Sequence, residues 1–232
     1  MKFLLNAFGH KSQLDKFSKG RKKINDLYPS EKKFFLEAAK NSKTFLDFGC
    51  ATGNFINILK NVSNIKKYTG LDISNEMLES ARLLHPNYQF KKFDGKKILL
   101  KSNYELVYSF GTLIYCLNYK NLIEDFINHS VKYVNFDVRL IFDKTLKNDK
   151  SYQVIVKKPL LKLPYIIINF NEFLEFILKI SRYKYKIDIY GYEHPVSGDV
   201  RSKFKKVIMT SVFIDKTKKF SLNIEINKKN VV

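Results

Sequence analysis

The sequence predicts an α/β fold, a parallel sheet with helices on both faces, preceded by a helical N-terminal segment. Three observations predict it. Between residues 43 and 142 short apolar runs alternate with amphipathic helical stretches, the grammar of strand–helix–strand units. The first apolar run, "TFLDFG", breaks at once into glycines, as at the end of a buried strand. Finally, 232 residues suffice for one large core and fall short of two ordinary domains.

Residues 1 to 40 read as a polar, helical annex. Its clearest piece is "SEKKFFLEAAK", with Ser30 placed to cap and Phe34, Phe35, Leu36 and Ala38 on an apolar side. Residues 41–232 then form the main body, with no linker or repeat to divide it. "TFLDFG" is the first strand, and "NFINILKNV" a helix with Phe55, Ile58, Leu59 and Val62 at helical spacing. "YTGLDI" is the second strand. "SNEMLESARLL" is a helix capped by Ser74, with Met77, Leu78, Ala81 and Leu84 along one face. "YQFKKF" and "YELVYSF" are strands, "NLIEDFINHSV" a helix, and "KYVNFDVRLIF" a fifth strand. After a polar stretch and "KKPLLKLPY" comes the helix "NEFLEFILKIS". "YKIDIYGYEHP" and "KKVIMTSVFID" close the body as two strands able to pair antiparallel through the loop from about 195 to 204.

Composition narrows the functional classes. No run of about eighteen apolar residues is present, so no membrane span is expected. The opening "MKFLLNAFGHKSQL" lacks a signal peptide's apolar length and cleavage site, and a cytoplasmic location is the expectation. Cys50 and Cys116 have no metal-ligand spacing and read as small buried apolar residues. No metal site is expected. The formal charge of +20 comes mostly from lysine, with only five arginines, at 21, 82, 139, 182 and 201. Nucleic-acid recognition favours the fixed donor fork of arginine, so dispersed lysine pairs read as a solvated surface.

A glycine-rich turn after the first strand of an open parallel sheet lets a ligand lie against the main chain. Here the order is Asp47, Phe48, Gly49, Cys50, Ala51, Thr52, Gly53. The nicotinamide fingerprint needs a third glycine at fixed spacing, and a phosphate-binding loop needs a lysine followed by serine or threonine; both are missing. An acid before the turn can accept hydrogen bonds from a cationic amino group, and a plain strand-to-helix turn is the structural alternative.

"LDFGCATGN" resembles motif I of the class I S-adenosylmethionine-dependent methyltransferases, with Ala51 in place of the middle glycine. Three further segments follow in the family's order. "YTGLDIS" ends a strand in Asp72, to which the resemblance assigns the ribose hydroxyls, with Ile73 against the adenine. "FKKFDG" ends in Asp94 and Gly95, at the adenine amino group. "YELVYSFGTLIY" brings Ser109 and Phe110 beneath the transferable methyl. The resemblance covers roughly residues 43 to 142. It implies a Rossmann-like three-layer sandwich on a mostly parallel seven-stranded sheet whose last strand runs antiparallel. It also implies S-adenosyl-L-methionine as cofactor, S-adenosyl-L-homocysteine as product, and Asp47, Gly49, Cys50, Ala51 and Gly53 around the methionine moiety.

On that resemblance the reaction is an in-line displacement, and a hydroxyl acceptor needs a base or a metal to take its proton. At the carboxyl edge of the sheet His194 is the preferred base, with Asp137 second and Tyr115 nearby. A loop histidine without a role and an Asp137–Arg139 pair are the bland alternatives. His10, His85 and His129 lie away from the expected site. Lys19, Arg21 and Tyr28 in the annex sit where a lid reaches an anionic acceptor or the cofactor carboxylate. The segment after strand five resembles bacterial methyltransferases encoded with surface-polysaccharide genes, which implies O-methylation of a sugar or sugar phosphate.

Two other readings stay open. A tRNA or rRNA methyltransferase would usually show an "NPPY"- or "DPPY"-type motif after strand four or a Pro-Cys pair, and neither is present. A non-catalytic cofactor-binding subunit is the other, and cofactor binding without turnover would reveal it.

Overall fold

A computed structural model describes residue 14 and residues 17–143, 150–155, 161–198 and 200–227, with no side-chain detail for 150–155 and 161–162. Its centre is a twisted sheet. Helix α1 (Pro29–Lys40) precedes β1 (Thr44–Phe48), α2 (Phe55–Val62), β2 (Lys67–Asp72), α3 (Asn75–Leu84), β3 (Gln89–Lys92) and β4 (Tyr104–Ser109). Then come α4 (Tyr119–His129), β5 (Ser130–Ile141), β6 (Lys150–Ile155), β7 (Leu161–Ile166), β8 (Ile168–Asn169) and α5 (Phe170–Ser181). Strands β9 (Lys186–Pro195), β10 (Val200–Arg201), β11 (Lys206–Asp215) and β12 (Ser221–Asn227) follow.

The spatial order is β3-β2-β1-β4-β5-β11-β9-β12. Strands β1 to β5 run parallel. Strand β11 is antiparallel to both β5 and β9. This is the Rossmann-like sandwich that the sequence predicts, with the antiparallel β11 as the last of the seven strands. The order reverses between β1 and β4, which is where such sheets open a crevice for ligands.

The sheet differs from the expected seven strands in two ways. Strand β12 adds an eighth, parallel to β9, and the short β8 pairs with the end of β5 at Leu140 and Ile141. A separate antiparallel sheet, β10-β6-β7, stands over the same edge. "KKPLLKLPY" carries two prolines, which read as breakers; β7 tolerates Pro164 because it pairs only with β6, on one side.

Two apolar layers hold the sandwich. On one face α1, α2 and α3 bury Phe35, Ala38, Phe55, Ile58 and Leu78 against Phe45 and Leu106. On the other, α4 and α5 bury Leu122, Phe126, Phe173 and Ile177 against Leu46, Val107 and Phe136. The alternation of Phe45 and Leu46 between the layers is the period of a strand buried on both faces. Helix α1 starts two residues earlier than its serine suggests. Tyr28 is the N-cap, Pro29 takes the first helical position and the Glu31 carboxylate accepts from the Tyr28 amide at 3.1 Å, as a capping box does. Ser30 is inside the helix and buried. Ser74 caps α3 as expected, accepting from the Met77 amide at 3.2 Å.

Candidate active site

A cavity of about 1570 Å³ opens at the carboxyl ends of β1, β2 and β4. Ligand pockets for one small molecule run to roughly 300–1,000 Å³, so this one has room for two reactants.

The turn from Gly49 to Gly53 forms its floor. The amides of Gly49 and Cys50 both donate to the Leu71 carbonyl, at 2.8 and 3.0 Å, which pins the turn to β2. Gly49 has φ +80°, and a Cβ there would lie 2.0 Å from Thr112 Oγ1, so no other residue fits without rebuilding. Ala51 also stands in the left-handed region, at φ +46°. Its amide donates to Asp72 Oδ2 at 2.9 Å, and the Ser74 amide donates to Oδ1 at the same distance. Asp72 is thereby held at the tip of β2 with lone pairs to spare.

Asp47, at the tip of β1, is buried, and Tyr68 donates to its Oδ2 at 2.6 Å. Burial pushes its carboxyl up to about 7, against the Tyr68 bond and the charge of Arg21, which favour the ionised form. Burial also raises Asp72, against its backbone donors. Cys50 lines the cavity, but burial raises its thiol far above the usual range, which suits packing and not nucleophilic attack.

A strap from the N-terminal segment crosses the mouth. Asn54 begins α2, where an asparagine would ordinarily cap. Instead its Nδ2 donates to the carbonyls of Phe17, Ser18 and Gly20 at 2.8, 3.0 and 3.0 Å. Thr52 Oγ1 donates to Phe17 O at 3.3 Å. Arg21, at φ +53°, donates to the Phe110 carbonyl at 3.2 Å and lies 3.4 Å from Glu31 Oε1. Tyr108 donates to the same Glu31 oxygen at 2.8 Å. Burial opposes the charge of Arg21, yet Glu31, Tyr108, Asp137 and Tyr28 together outweigh it and the guanidinium is held more firmly protonated.

The other end of the cavity is walled by Tyr28, Tyr115, Arg139, Pro164 and Arg201. Asp137 and Arg139 share a face of β5, two residues apart, with Arg139 Nη1 2.7 Å from Asp137 Oδ2. Asp137 Oδ1 accepts from the Gly111 amide at 2.7 Å. Arg139 is held protonated, since Asp137 and Tyr165 outweigh the cost of its burial.

Of the residues expected around the cofactor, Asp47, Gly49, Cys50, Ala51, Asp72, Ile73, Gly95 and Phe110 line this cavity. Gly53 is behind the wall, where a Cβ would press on Phe90 and His85. Asp94 is exposed and off the wall, its Oδ1 accepting from the amides of Lys96 and Lys97 at 2.8 and 3.3 Å. Ser109 is fully buried, with an Oγ that has no hydrogen-bond partner among the described residues. Among the catalytic candidates, Tyr115 lines the cavity. Asp137 is off the wall with both oxygens engaged. His194 is also off the wall, its Nδ1 2.7 Å from its neighbour's carbonyl at Pro195. The carboxyl end of β9 is the right edge, but β5 and β11 stand between it and β4, roughly 15 Å at the usual strand spacing. Asn54, Thr112 and Arg201 were not foreseen. Of these, Asn54 directly follows the second glycine, but nothing in the sequence marks its bonds to residues 17, 18 and 20.

Comparison with known proteins agrees with this geometry. The profile of a family described as "Methyltransferase domain" matches residues 21–170. A protein of Invertebrate iridescent virus 6 named "Putative methyltransferase 235L" is 31% identical over 93 residues, 39% of this chain and 35% of that one. The chain thus spans about a third of that relative. A methyltransferase dependent on S-adenosylmethionine from Clostridium acetobutylicum superposes with TM-score 0.57 at 14% identity, covering 90% of this chain and 98% of that one. The DhpI–SAM–HEP complex gives 0.58 at 12%, covering 91% and 96%. The N-terminal domain of EvdMO1 with SAH bound gives 0.56 at 14%, covering 78% and 77%. With the profile matching well over half its length and the glycine turn seated between the acids of β1 and β2, the chain belongs to the class I methyltransferases that use S-adenosyl-L-methionine.

Proposed function

We propose that the methyl group passes to a hydroxyl of a small acceptor, a sugar, sugar phosphate or nucleotide-linked glycan precursor. The observation that carries this reading is a large cavity strapped over at its mouth, with tyrosines and arginines at the end away from the glycine turn. Aromatic faces with convergent polar groups suit a polyhydroxylated ligand, and the strap favours an acceptor that enters whole. A related fold, that of EvdMO1, was crystallised in the presence of SAH and D-fucose, which supports a sugar.

In this reading Asp47 takes the cofactor's amino group, the bare backbone at Gly49 admits the methionine moiety, and Asp72 grips the ribose hydroxyls beside Ile73. Bound there, the cofactor supplies an electrophilic methyl on a sulfonium. The chain's own work is alignment and exclusion of water. Phe110 and Gly111 carry the turn at the end of β4, anchored by Arg21 from above and Asp137 from below. Asp137 is a positioning residue here, because both its oxygens are spent on Gly111 and Arg139. Tyr115 faces the acceptor from the wall. The strap of residues 17–28 acts as the lid, and the annex of residues 1–40 serves the catalytic body of 41–232.

The test is a panel of free sugars, sugar phosphates and nucleotide sugars offered with S-adenosylmethionine, with S-adenosylhomocysteine release as the readout. Turnover on one hydroxylated member supports the proposal. Silence across the panel together with salt-sensitive methylation of a tRNA transcript would transfer the reading to RNA.

A further inference from the structure

The acceptor end of the cavity carries more positive charge than its own acids balance. Among the described residues three acids line the cavity: Asp26, Asp47 and Asp72. Asp47 and Asp72 flank the glycine turn, and Asp26 is exposed, with its Oδ2 accepting from the amides of Lys22 and Lys23 at 2.8 and 2.9 Å. On the basic side, Arg21 is matched by Glu31 and Arg139 by Asp137. Arg201, Lys19 and Lys96 remain, all on the wall, and among the described residues none of the three forms an ion pair with an acid.

The small sheet explains how Arg201 reaches the site. Arg201 on β10 is in register with Tyr152 of β6, which is in register with Pro164 of β7. Residues directly opposite one another share a sheet face, and Arg201 and Pro164 both line the cavity. The hairpin that β6 and β7 make after β5 therefore brings Arg201 to the cavity that Arg139 also lines. Val200, beside it, packs against the apolar cluster of Ile114, Tyr165, Ile167 and Val207, and this fixes the strand in place. The guanidinium is a rigid fork suited to paired anionic oxygens.

We propose that Arg139 and Arg201 form an anion subsite for a phosphoryl group on the acceptor, remote from the atom that is methylated. The inference rests on the acceptor reading above and sharpens it. A phosphoryl group fits better than a carboxylate because Arg201 brings a charge that no acid among the described residues matches, and the forks of two arginines can share a phosphoryl group's three oxygens. Arg139 supplies donors already oriented by Asp137 and Tyr165, while Arg201 supplies a second fork from β10. Arginine holding a remote group contributes binding common to ground and transition states, so its loss appears in KM more than in kcat.

The experiment uses the full chain saturated with S-adenosylhomocysteine and calorimetric titration with inorganic pyrophosphate, with acetate at matched ionic strength as the singly charged control. Pyrophosphate should bind wild type and the remote surface variant Lys218→Ala alike. It should bind about tenfold or more weakly to Arg201→Ala, with Arg201→Lys in between. S-adenosylhomocysteine affinity should stay within about twofold throughout, which shows that the variants are folded. Pyrophosphate ignored by wild type, acetate bound as tightly, or an unaltered Arg201→Ala would each overturn the subsite. Turnover separates this inference from the sugar reading. A free sugar methylated as well as its phosphate ester sinks the subsite and leaves the sugar reading standing. Pyrophosphate binding that depends on Arg201, with no sugar ester turned over, does the reverse.

Discussion

Tyr68 donates its hydroxyl to Asp47 at 2.6 Å, joining the start of β2 to the tip of β1 beneath the glycine turn. The bond holds a buried carboxyl at the place where the cofactor's ammonium is proposed to sit. Because burial raises Asp47 from 3.8 to about 7, the unliganded fold holds a proton there that the unfolded chain releases. The sign follows. Asp47's contribution to stability is full below about pH 4 and is lost as pH rises towards and through 7. A ligand's ammonium group favours the ionised form, so S-adenosylhomocysteine should bind about tenfold more tightly at pH 8 than at pH 6 by one-proton linkage. Its thermal shift should likewise be larger at pH 8. Asp47→Asn should flatten both trends, and a pH-independent affinity in wild type would contradict the assignment.

Asp72→Ala should weaken binding of S-adenosylhomocysteine by about 10- to 100-fold. Hydrogen bonds to a charged group contribute about 1.5–3 kcal/mol each. Asp72→Asn should lose less, since its one amide oxygen still accepts from the amide of either Ala51 or Ser74. Circular dichroism separates a binding defect from misfolding, and unchanged calorimetric affinity in the alanine variant would remove Asp72 from the ribose.

Gly49→Ala should cost stability through two routes. A left-handed backbone costs a non-glycine residue about 1–2 kcal/mol, and the new Cβ collides with Thr112, adding about 1–3 kcal/mol of overpacking. The expected fall in melting temperature is roughly 4–20 °C at about 2–4 °C per kcal/mol. Adding Thr112→Ala should return part of the second cost and none of the first. A double variant no better than the single one would place the strain elsewhere.

Asn54→Ala removes the donor shared by three strap carbonyls. Each lost hydrogen bond contributes about 0.5–1.5 kcal/mol. Limited proteolysis near residues 17–21 should accelerate, and the dissociation rate of S-adenosylhomocysteine should rise about tenfold in stopped-flow measurements. An unchanged cleavage rate would mean that Arg21 and Glu31 hold the strap without it.

The glycine-turn end of the cavity could be read from the chain because its signals are local. "LDFGCATGN" states a strand, an acid and two glycines within nine residues, and Ser74 caps α3 where a serine before a helical run should. The opposite end could not, because it is assembled from segments far apart in sequence. Arg201 becomes a wall residue only through a sheet whose strands have no neighbours in the main sheet, and nothing near position 201 records that pairing. His194 shows the same boundary from the other side. Its strand, direction and edge were legible, but its lateral distance from the cavity depends on β11 inserting between β5 and β9. Asp137 and Arg139 were legible as a pair from strand alternation, and the pair is what forms.

Strand β8 rejoins β5 at Leu140 and Ile141, almost at the point where the chain departs towards β6 and β7. The excursion is therefore stitched at its base, like a cassette on a clip. Replacement of its contents would leave the strand order and the glycine turn untouched. Through Pro164 the detour supplies part of the cavity wall at the proposed acceptor end, which makes it the segment to exchange when testing what becomes methylated.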